Sequence, residues 1–426
     1  MAATRGGNGY SENGGLTVHQ LESNLSNDQI LSHPMTRPER MQLLPWIRTL
    51  MMTSVVILAM SHGSYAEEQA PSPNRLTQKA SRHLLYVAVP GVGNNLHFGG
   101  HGVLVFDIDD GHRFVRRIKS AGFDENGKPI NVKGICVSVP LKRLYVSTIK
   151  SLMCFDLTSD ALLWEKSYEG GCDRMAVSPD GKTIYLPSLE RDHWHVIDAG
   201  SGEVLARVEP NAGAHNTNYG ADGKEAYLAG LRSRELAVAD AATHKIVRRV
   251  GPFSASIRPF TINGRQTLGY FCVNDLLGFE VGDLKTGKLL HRVEVSGFKT
   301  SQNVPHGCPS HGIGLTPDEK EVWVTDSYNK RMHIFDATVM PPRQVADVEL
   351  RDPPGWITFG IDGHFAYPST GDVIDVATRK IVAHLTDETE AAVESEKLLE
   401  IDFAGTEPQR AGCQFGLGRA TDALPQ

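Results

Sequence analysis

One short segment of this sequence combines two histidines with a cysteine. Residues 303–312 read NVPHGCPSHG and contain His306, Cys308 and His311. Imidazole nitrogen and thiolate sulfur are ligands that zinc and copper prefer, so the segment is a candidate metal site, with His215 as a further ligand. The spacing HxCxxH matches no established metal signature. The alternative is a structural loop, turned by its glycine and proline residues, in which Cys308 is buried or bridged.

Ionisable residues elsewhere in the chain could act on an anionic ligand. Arg174 follows Asp173 directly, and His215 precedes Asn216. A neutral histidine can act as a general base near pH 7, and a neighbouring arginine can stabilise an enolate-like carboxylate, which is the chemistry of uronate lyases. The candidate catalytic residues are therefore His215, His311 and Arg174. They are far apart in sequence, so the fold must bring them together.

A repeat supplies that fold. An apolar strand that ends in aspartate, followed by a turn and another strand, recurs seven times. The spacings between successive aspartates are 49, 42, 42, 43, 53 and 39 residues, close to the roughly 40 to 45 residues of a four-stranded propeller blade. The chain is predicted to be an all-β, seven-bladed β-propeller. The seven aspartates are Asp107, Asp156, Asp198, Asp240, Asp283, Asp336 and Asp375.

The ends of the chain are predicted to close the ring. Residues 72–82 are polar where blade one needs its innermost strand, whereas KLLEIDF at residues 397–403 resembles a strand without a blade. Pairing the late strand with blade one removes the free sheet edges of an open array. We therefore expect residues 81–405 to form the propeller, with a tail at 406–426.

Aligning the blades predicts which residues surround the channel entrance on one face, here called the top face. Both long insertions and the blade-one loop with His97 and His101 fall on this face, whereas His112, His244 and His364 fall on the bottom face. Charged residues are rarely buried unpaired, so such an entrance indicates a polar pocket. Ser395, Glu396 and Lys397 could supply the equivalent positions of blade one. The predicted ligand-binding residues are Lys133, Asp173, Arg174, His215, Asn216, Arg258, His311, Trp356, His97 and His101.

Residues 175–208, MAVSPDGKTIYLPSLERDHWHVIDAGSGEVLARV, show the repeat most clearly. This pattern resembles the YVTN/YncE group of exported bacterial propellers over roughly residues 81–390. The resemblance implies the propeller fold. It implies no single activity, because propellers host many functions on one scaffold, so the site must supply the functional argument.

Composition and the N-terminus limit the class of protein. A formal net charge of −7 and the absence of basic clusters argue against a nucleic-acid partner. Basic residues, a short apolar run at residues 49–60 and a small-residue cleavage site at 64–66 predict a signal peptide. We expect a leader at 1–66, a linker at 67–80, no membrane span after cleavage, and a periplasmic or secreted protein.

These observations predict a protein that binds a small polar or anionic, sugar-like ligand at the top-face channel entrance. Lys133, Arg174 and Arg258 would hold the charge, and Trp356 would offer a flat apolar face. A lyase-like or metal-dependent enzyme is one alternative, and enzyme activity and cofactors stay open. A redox or interaction scaffold that docks another exported protein is the other. A water-filled channel with no ligand is the simplest interpretation of the same residues.

Overall fold

The structure, a computed structural model, describes residues 81–120, 123–124, 126–301 and 304–419. These residues form seven antiparallel sheets arranged as the blades of a β-propeller, as predicted. The leader and linker predicted at residues 1–80 lie outside the described residues. Within the described part of the chain, no helix is both long and apolar enough to span a bilayer.

Six blades follow one pattern, in which four consecutive strands run from the channel to the rim. We call these strands A to D in that order. Blade two is β4 (Val132–Ser138) to β7 (Leu162–Ser167), and blade three is β8 (Ala176–Val177) to β11 (Val204–Val208). The strands between these and in blades four to seven are β5 (Arg143–Thr148), β6 (Ser151–Asp156), β9 (Thr183–Pro187), β10 (Trp194–Asp198), β12 (Ala214–Tyr219), β13 (Glu225–Gly230), β14 (Leu236–Asp240), β15 (Lys245–Val250), β16 (Ile257–Ile262), β17 (Leu268–Val273), β18 (Gly278–Asp283), β19 (Leu289–Glu294), β20 (Ile313–Leu315), β21 (Glu321–Asp326), β22 (Arg331–Asp336), β23 (Arg343–Glu349), β24 (Ile357–Phe359), β25 (Phe365–Pro368), β26 (Asp372–Asp375) and β27 (Lys380–His384).

Blade one contains both ends of the described chain. Its strands β1 (Ser81–Val89), β2 (Gly102–Asp107) and β3 (Arg113–Ile118) are joined by β28 (Leu398–Ala404), which pairs antiparallel with β1. The predicted ring closure is therefore confirmed. A further strand, β29 (Glu407–Ala411), pairs with β28 and makes this sheet five-stranded. The predicted tail thus begins as a strand of blade one.

The repeated aspartate has a local structural role at the end of every strand C. In blade three, Asp198 Oδ1 accepts hydrogen bonds from the main-chain N–H and the hydroxyl of Ser201, at 2.7 and 2.9 Å. Asp240 and Thr243 repeat this arrangement in blade four. A short side chain that accepts from main-chain groups just ahead of it favours a tight turn over continued strand. This is why the sequence repeat marks the C-to-D turns.

The core lies between neighbouring blades. Strands B and C are buried almost throughout, whereas the outer strand D alternates between exposed and half-buried residues. An outermost strand has one face against the core and one in solvent, which gives this period of two. Large aromatic side chains such as Trp194, Trp323 and Tyr227 are fully buried there. The blades therefore hold the inner strands, and the residues that begin them, in fixed positions.

Residues 412–419, here called the C-terminal segment, cross the channel on the side away from the start of the inner strands. The side chain of Gln414 accepts from Ile135 N at 3.2 Å and donates to Met175 O at 3.0 Å, so it bridges blades two and three. The main-chain oxygen of Gly416 accepts from Thr261 Oγ1 at 2.7 Å in blade five. The segment thus connects blades on opposite sides of the channel.

Candidate functional site

The candidate residues of five blades lie at or just before the start of strand A. Lys133 lies in β4, His215 in β12 and Arg258 in β16, while Asp173 and Arg174 precede β8. His311 likewise lies just before β20. Hydrogen bonds, ring contacts and electrostatic effects connect these side chains into one group, described in the next paragraphs. We call this group the mouth: Lys133, Asp173, Arg174, His215, Asn216, Arg258, His306, His311, Glu396 and Lys397.

Asp173 is the carboxylate on one side of the mouth. It is fully buried, and its Oδ2 accepts a hydrogen bond from His215 Nδ1 at 2.6 Å, while Lys133 Nζ lies 3.5 Å from its Oδ1. Burial raises the pKa of Asp173, but His215 and Lys133 have a larger effect in the opposite direction. The pKa of Asp173 is therefore below its ordinary value, and the carboxyl stays ionised. Burial also lowers the pKa of His215, and Asp173 offsets this only in part. The imidazole is therefore neutral at pH 7, with its proton on Nδ1 and a lone pair on Nε2.

Glu396 is the carboxylate on the other side. Its Oε2 accepts from Lys397 Nζ at 2.9 Å and from Arg174 Nη2. Lys397 also donates to Gly91 O at 2.7 Å. Burial raises the pKa of Glu396, yet Lys397 and Arg174 bring it well below its ordinary value. Burial lowers the pKa of Lys397 to about 7, against the opposing effect of Glu396. The lysine therefore changes charge near neutral pH.

Two further histidines belong to the mouth. His311 Nδ1 donates to Gly355 O at 3.2 Å, and its ring centroid lies 4.7 Å from that of His306. Burial lowers the pKa of His311 to about 3 and also lowers that of His306. Arg258 Nη2 donates to the main-chain oxygen of His306 at 2.7 Å. Both imidazoles are thus uncharged at neutral pH beside an arginine.

The mouth therefore has more positive than negative groups. Four cationic side chains, Lys133, Arg174, Arg258 and Lys397, face the two carboxylates Asp173 and Glu396, and the histidines add no charge at pH 7. Lys133 and Arg258 are half-buried, whereas the side chains of Arg174 and Lys397 are only 3% and 4% exposed. Lys133 and Arg258 can therefore contact a ligand, whereas Arg174 and Lys397 contribute positive charge from buried positions.

Trp356 does not have the role expected from the sequence. It is 2% exposed, the guanidinium of Arg174 covers one face of its ring, and its Nε1–H donates to Gln414 O. The indole is therefore unavailable as an apolar face for a ligand. Asn216 is also fully buried, with its Nδ2 3.5 Å from Arg258 O. Both residues support the mouth from below.

His97 and His101 are not brought into the mouth by any contact among the described residues. His97 bonds through its main-chain N to Asn95, and the ring of His101 packs edge-on against Phe123, with centroids 4.8 Å apart. They lie on the blade-one loop, as predicted, but away from this charge cluster. The sequence indicated the loop on which both histidines lie, but not where that loop directs their side chains.

The structure does not support the predicted metal site among the residues that it describes. No group of three or more His, Cys, Asp or Glu side chains there is placed to hold a metal ion. Cys308 is buried, with its Sγ 3.3 Å from Ser310 O and 3.5 Å from Val273 O. Burial raises the pKa of this thiol to about 12, which disfavours the thiolate that binds metals. His215 and His311 instead make hydrogen bonds through Nδ1, and the ring of His306 packs against that of His311.

The bottom-face histidines act as a comparison. His112 Nε2 lies 3.0 Å from Tyr367 OH, and His244 Nδ1 lies 2.8 Å from Tyr185 OH. Each pairs with a tyrosine between blades and neither contacts a mouth residue. The mouth is therefore a specific cluster, since other histidines of the same chain have ordinary packing roles.

Glu396 and Lys397 are the residues that sequence reasoning named only as possible contributors. They lie directly before β28, the strand that completes blade one. In the sequence they are an acidic and a basic residue next to each other, where the predicted strand at 397–403 begins. This position becomes informative only once that strand is assigned to blade one. Together with Arg174 they form the second cluster of charged groups in the mouth, centred on Glu396.

Comparisons with known proteins support the fold and go no further. No protein-family model matches the chain, and no curated protein matches it. Among solved structures, the chain is similar to a chain of the hydrazine synthase of Kuenenia stuttgartiensis. The similarity has a TM-score of 0.52 and 16% sequence identity, and covers 66% of this chain and 88% of the other. A likeness this distant in sequence shows a shared propeller fold, and the YVTN/YncE resemblance stays a prediction.

Proposed function

We propose that the mouth binds a small polar anion that carries a carboxylate and hydroxyl groups, such as a sugar acid. The observation that carries this proposal is the excess of cations over carboxylates in a mostly buried cluster of side chains. Buried charge that lacks a counter-charge is unfavourable, so an anion gains free energy by entering. Lys133 and Arg258 are the cations accessible enough to contact it.

The histidines define the rest of the ligand. His215 and His311 each use Nδ1–H for an internal hydrogen bond, to Asp173 and to Gly355 O. In the neutral ring, Nε2 then accepts hydrogen bonds and cannot donate. A ligand with hydroxyl donors near its anionic group fits this pair of acceptors. A simple inorganic anion without donors fits them less well.

The proposal includes export to the periplasm or the medium. It rests on the signal-peptide pattern of residues 35–66 and on the resemblance to exported propellers. An exported propeller of this kind would meet small acids and sugar acids outside the cytoplasm. N-terminal sequencing of the protein recovered from the periplasm or medium would test cleavage after residue 66.

Calorimetric titration with matched acids and neutral sugars tests the binding proposal. Glucuronate and galacturonate should bind, and glucose and galactose should bind at least tenfold more weakly. Lys133→Ala and Arg258→Ala should each weaken the acids by about tenfold, because each removes a charged contact. Lys182→Ala, which removes an exposed bottom-face lysine, is the matched control. Equal binding of acids and neutral sugars would contradict the proposal.

The Asp173–His215 pair favours a second candidate, an enzyme that removes a proton next to a carboxylate. A histidine oriented by a buried carboxylate, with a free Nε2, is the arrangement of a general base. Elimination in a uronate polymer would then give a 4,5-unsaturated product that absorbs ultraviolet light. His215→Gln should lower such activity by about 10²- to 10⁴-fold. No product from any of a panel of uronate polysaccharides would remove this candidate.

A further inference from the structure

A cavity opens on the bottom face, at the opposite end of the channel from the mouth. Its volume is ≈ 610 Å³. The lower halves of the inner strands of blades one to five form its walls, and residues 409–419 form its inner boundary. Binding cavities for small molecules span roughly 300 to 1,000 Å³, so one small molecule fits this space.

The walls of this cavity are mainly apolar. Main contributors are Ile135, Val137, Met175, Val177, Ile262 and Leu399. In the mouth, by contrast, the side chains of the same inner strands are charged or carry imidazoles. Apolar surface favours a ligand whose body is a hydrocarbon chain or an aromatic ring system. The two ends of the channel therefore suit different chemistry.

One arginine without an ion pair to any described residue lies at the edge of this cavity. Arg419 is exposed, lines the cavity, and makes no ion pair with any residue that the structure describes. Its main-chain N–H is fixed by a bond of 3.2 Å to Pro317 O. Arg410, the other arginine of the lining, is already paired with Asp362 and Asp402. Arg419 is thus the cation available to a ligand.

We infer that this cavity binds a small amphiphilic anion, with its apolar body between the inner strands and its carboxylate or sulfonate at Arg419. An arginine guanidinium at the rim of an apolar cavity complements this combination, because it pairs with planar anionic groups while the body leaves water. The C-terminal segment separates this site from the mouth. The inference is therefore independent of the function proposed for the mouth.

Fluorescence titration of the full-length protein with 1-anilinonaphthalene-8-sulfonate tests the inference, since this probe combines fused rings with a sulfonate. We expect saturable binding of one probe per chain. Decanoate should displace the probe, and decanol should do so at least fivefold less effectively. Absence of saturable binding, or equal displacement by the neutral alcohol, would overturn the inference.

Two variants locate the probe. Arg419→Gln should weaken binding at least fivefold, and Lys224→Gln, which removes an exposed lysine of the same face, is its control. Ala221→Trp places a large ring at the exposed entrance and should weaken binding similarly, with Ala242→Trp on a nearby exposed turn as control.

Circular dichroism verifies that each variant is folded. Unchanged affinity in both Arg419→Gln and Ala221→Trp would overturn the inference, and Lys133→Ala in the mouth should leave probe binding unchanged.

Discussion

The guanidinium carbon of Arg174 lies 3.5 Å from the ring centroid of Trp356, so the arginine of blade three stacks on the tryptophan of blade seven. The edge of the same indole donates to Gln414 O in the C-terminal segment at 2.5 Å. The arginine in turn pairs with Glu396. Trp356 therefore joins the charged mouth above it to the segment that crosses the channel below.

Replacement of Trp356 should destabilise the protein and disturb the mouth. Trp356→Ala removes a large buried side chain and should lower the free energy of unfolding by about 3 to 5 kcal/mol. Urea denaturation measures this change. Trp356→Phe keeps an aromatic face under Arg174 but loses the bond to Gln414, so we expect a smaller loss. Equal stability of the wild type and Trp356→Ala would show that the stack contributes nothing.

Removal of the C-terminal segment should have a comparable effect. A chain that ends at Ala411 loses the bridges of Gln414 and the buried ring of Phe415. At about 1 kcal/mol for each hydrogen bond and about 2 kcal/mol for a buried phenylalanine, we expect a loss of several kcal/mol. A chain that ends at Arg419 keeps all these contacts and is the control. Thermal unfolding of the two chains compares them, and identical midpoints would contradict this role.

Anion binding at the mouth should weaken as the pH rises through 7. Lys397 has a pKa of about 7 because it is buried, so it is positive below this pH and neutral above it. Its charged neighbours are Glu396, Arg174 and Lys133. We expect affinity for a sugar acid to fall severalfold between pH 6 and about 8.5, since one of four cations is lost. Titration calorimetry measures this slope.

Lys397→Met should remove most of that pH dependence. Burial also raises the pKa of Glu394 to about 7, so its titration overlaps that of the lysine. Glu394→Gln, which lies outside the mouth contacts, should keep the slope and is the control. The same slope in Lys397→Met as in the wild type would assign the effect to another group.

The strand-C aspartates should make the protein sensitive to acid. Hydrogen bonds from Ser201 lower the pKa of Asp198 below its ordinary value, so the folded state binds its proton less readily than the unfolded state. The stability that this provides is present above about pH 4 and is lost as the pH falls through the lowered pKa. Asp198→Ala should destabilise by about 1 kcal/mol at pH 7, and Asp198→Asn by less. Denaturant midpoints from pH 7 to 3 measure both the loss in each variant and the effect of acid, and an unchanged midpoint in Asp198→Ala at pH 7 would contradict the prediction.

The fold could be predicted because its signal is local and repeated. Each of the seven aspartates ends a strand C, where its carboxylate forms the same turn, so period and chemistry agree. The strand at residues 397–403 was recognised because it had no blade of its own. Strand β29 and the C-terminal segment were missed, because residues 406–419 carry no repeat and their order depends on contacts with the inner strands of several blades.

The structure brings Lys133, Asp173 and His215 into contact, with His311 in the same cluster. Blade alignment predicted equivalent positions for these residues but not their partners. It could not show that Arg174 would cover Trp356, because both residues came from the same ring of positions and only side-chain packing decides between ligand and neighbour. His97 lies on a loop outside the repeat, where alignment gives no information on direction.

The pairing of β1 with β28 also determines when folding can finish. Strand β1 must wait for β28, which leaves the ribosome roughly 300 residues later, or about 15 to 60 s at typical rates of synthesis. Until then blade one lacks its inner strand, and the channel lacks the segment that crosses it. Blade one is therefore completed late in synthesis, after all the strands of the other six blades have been made.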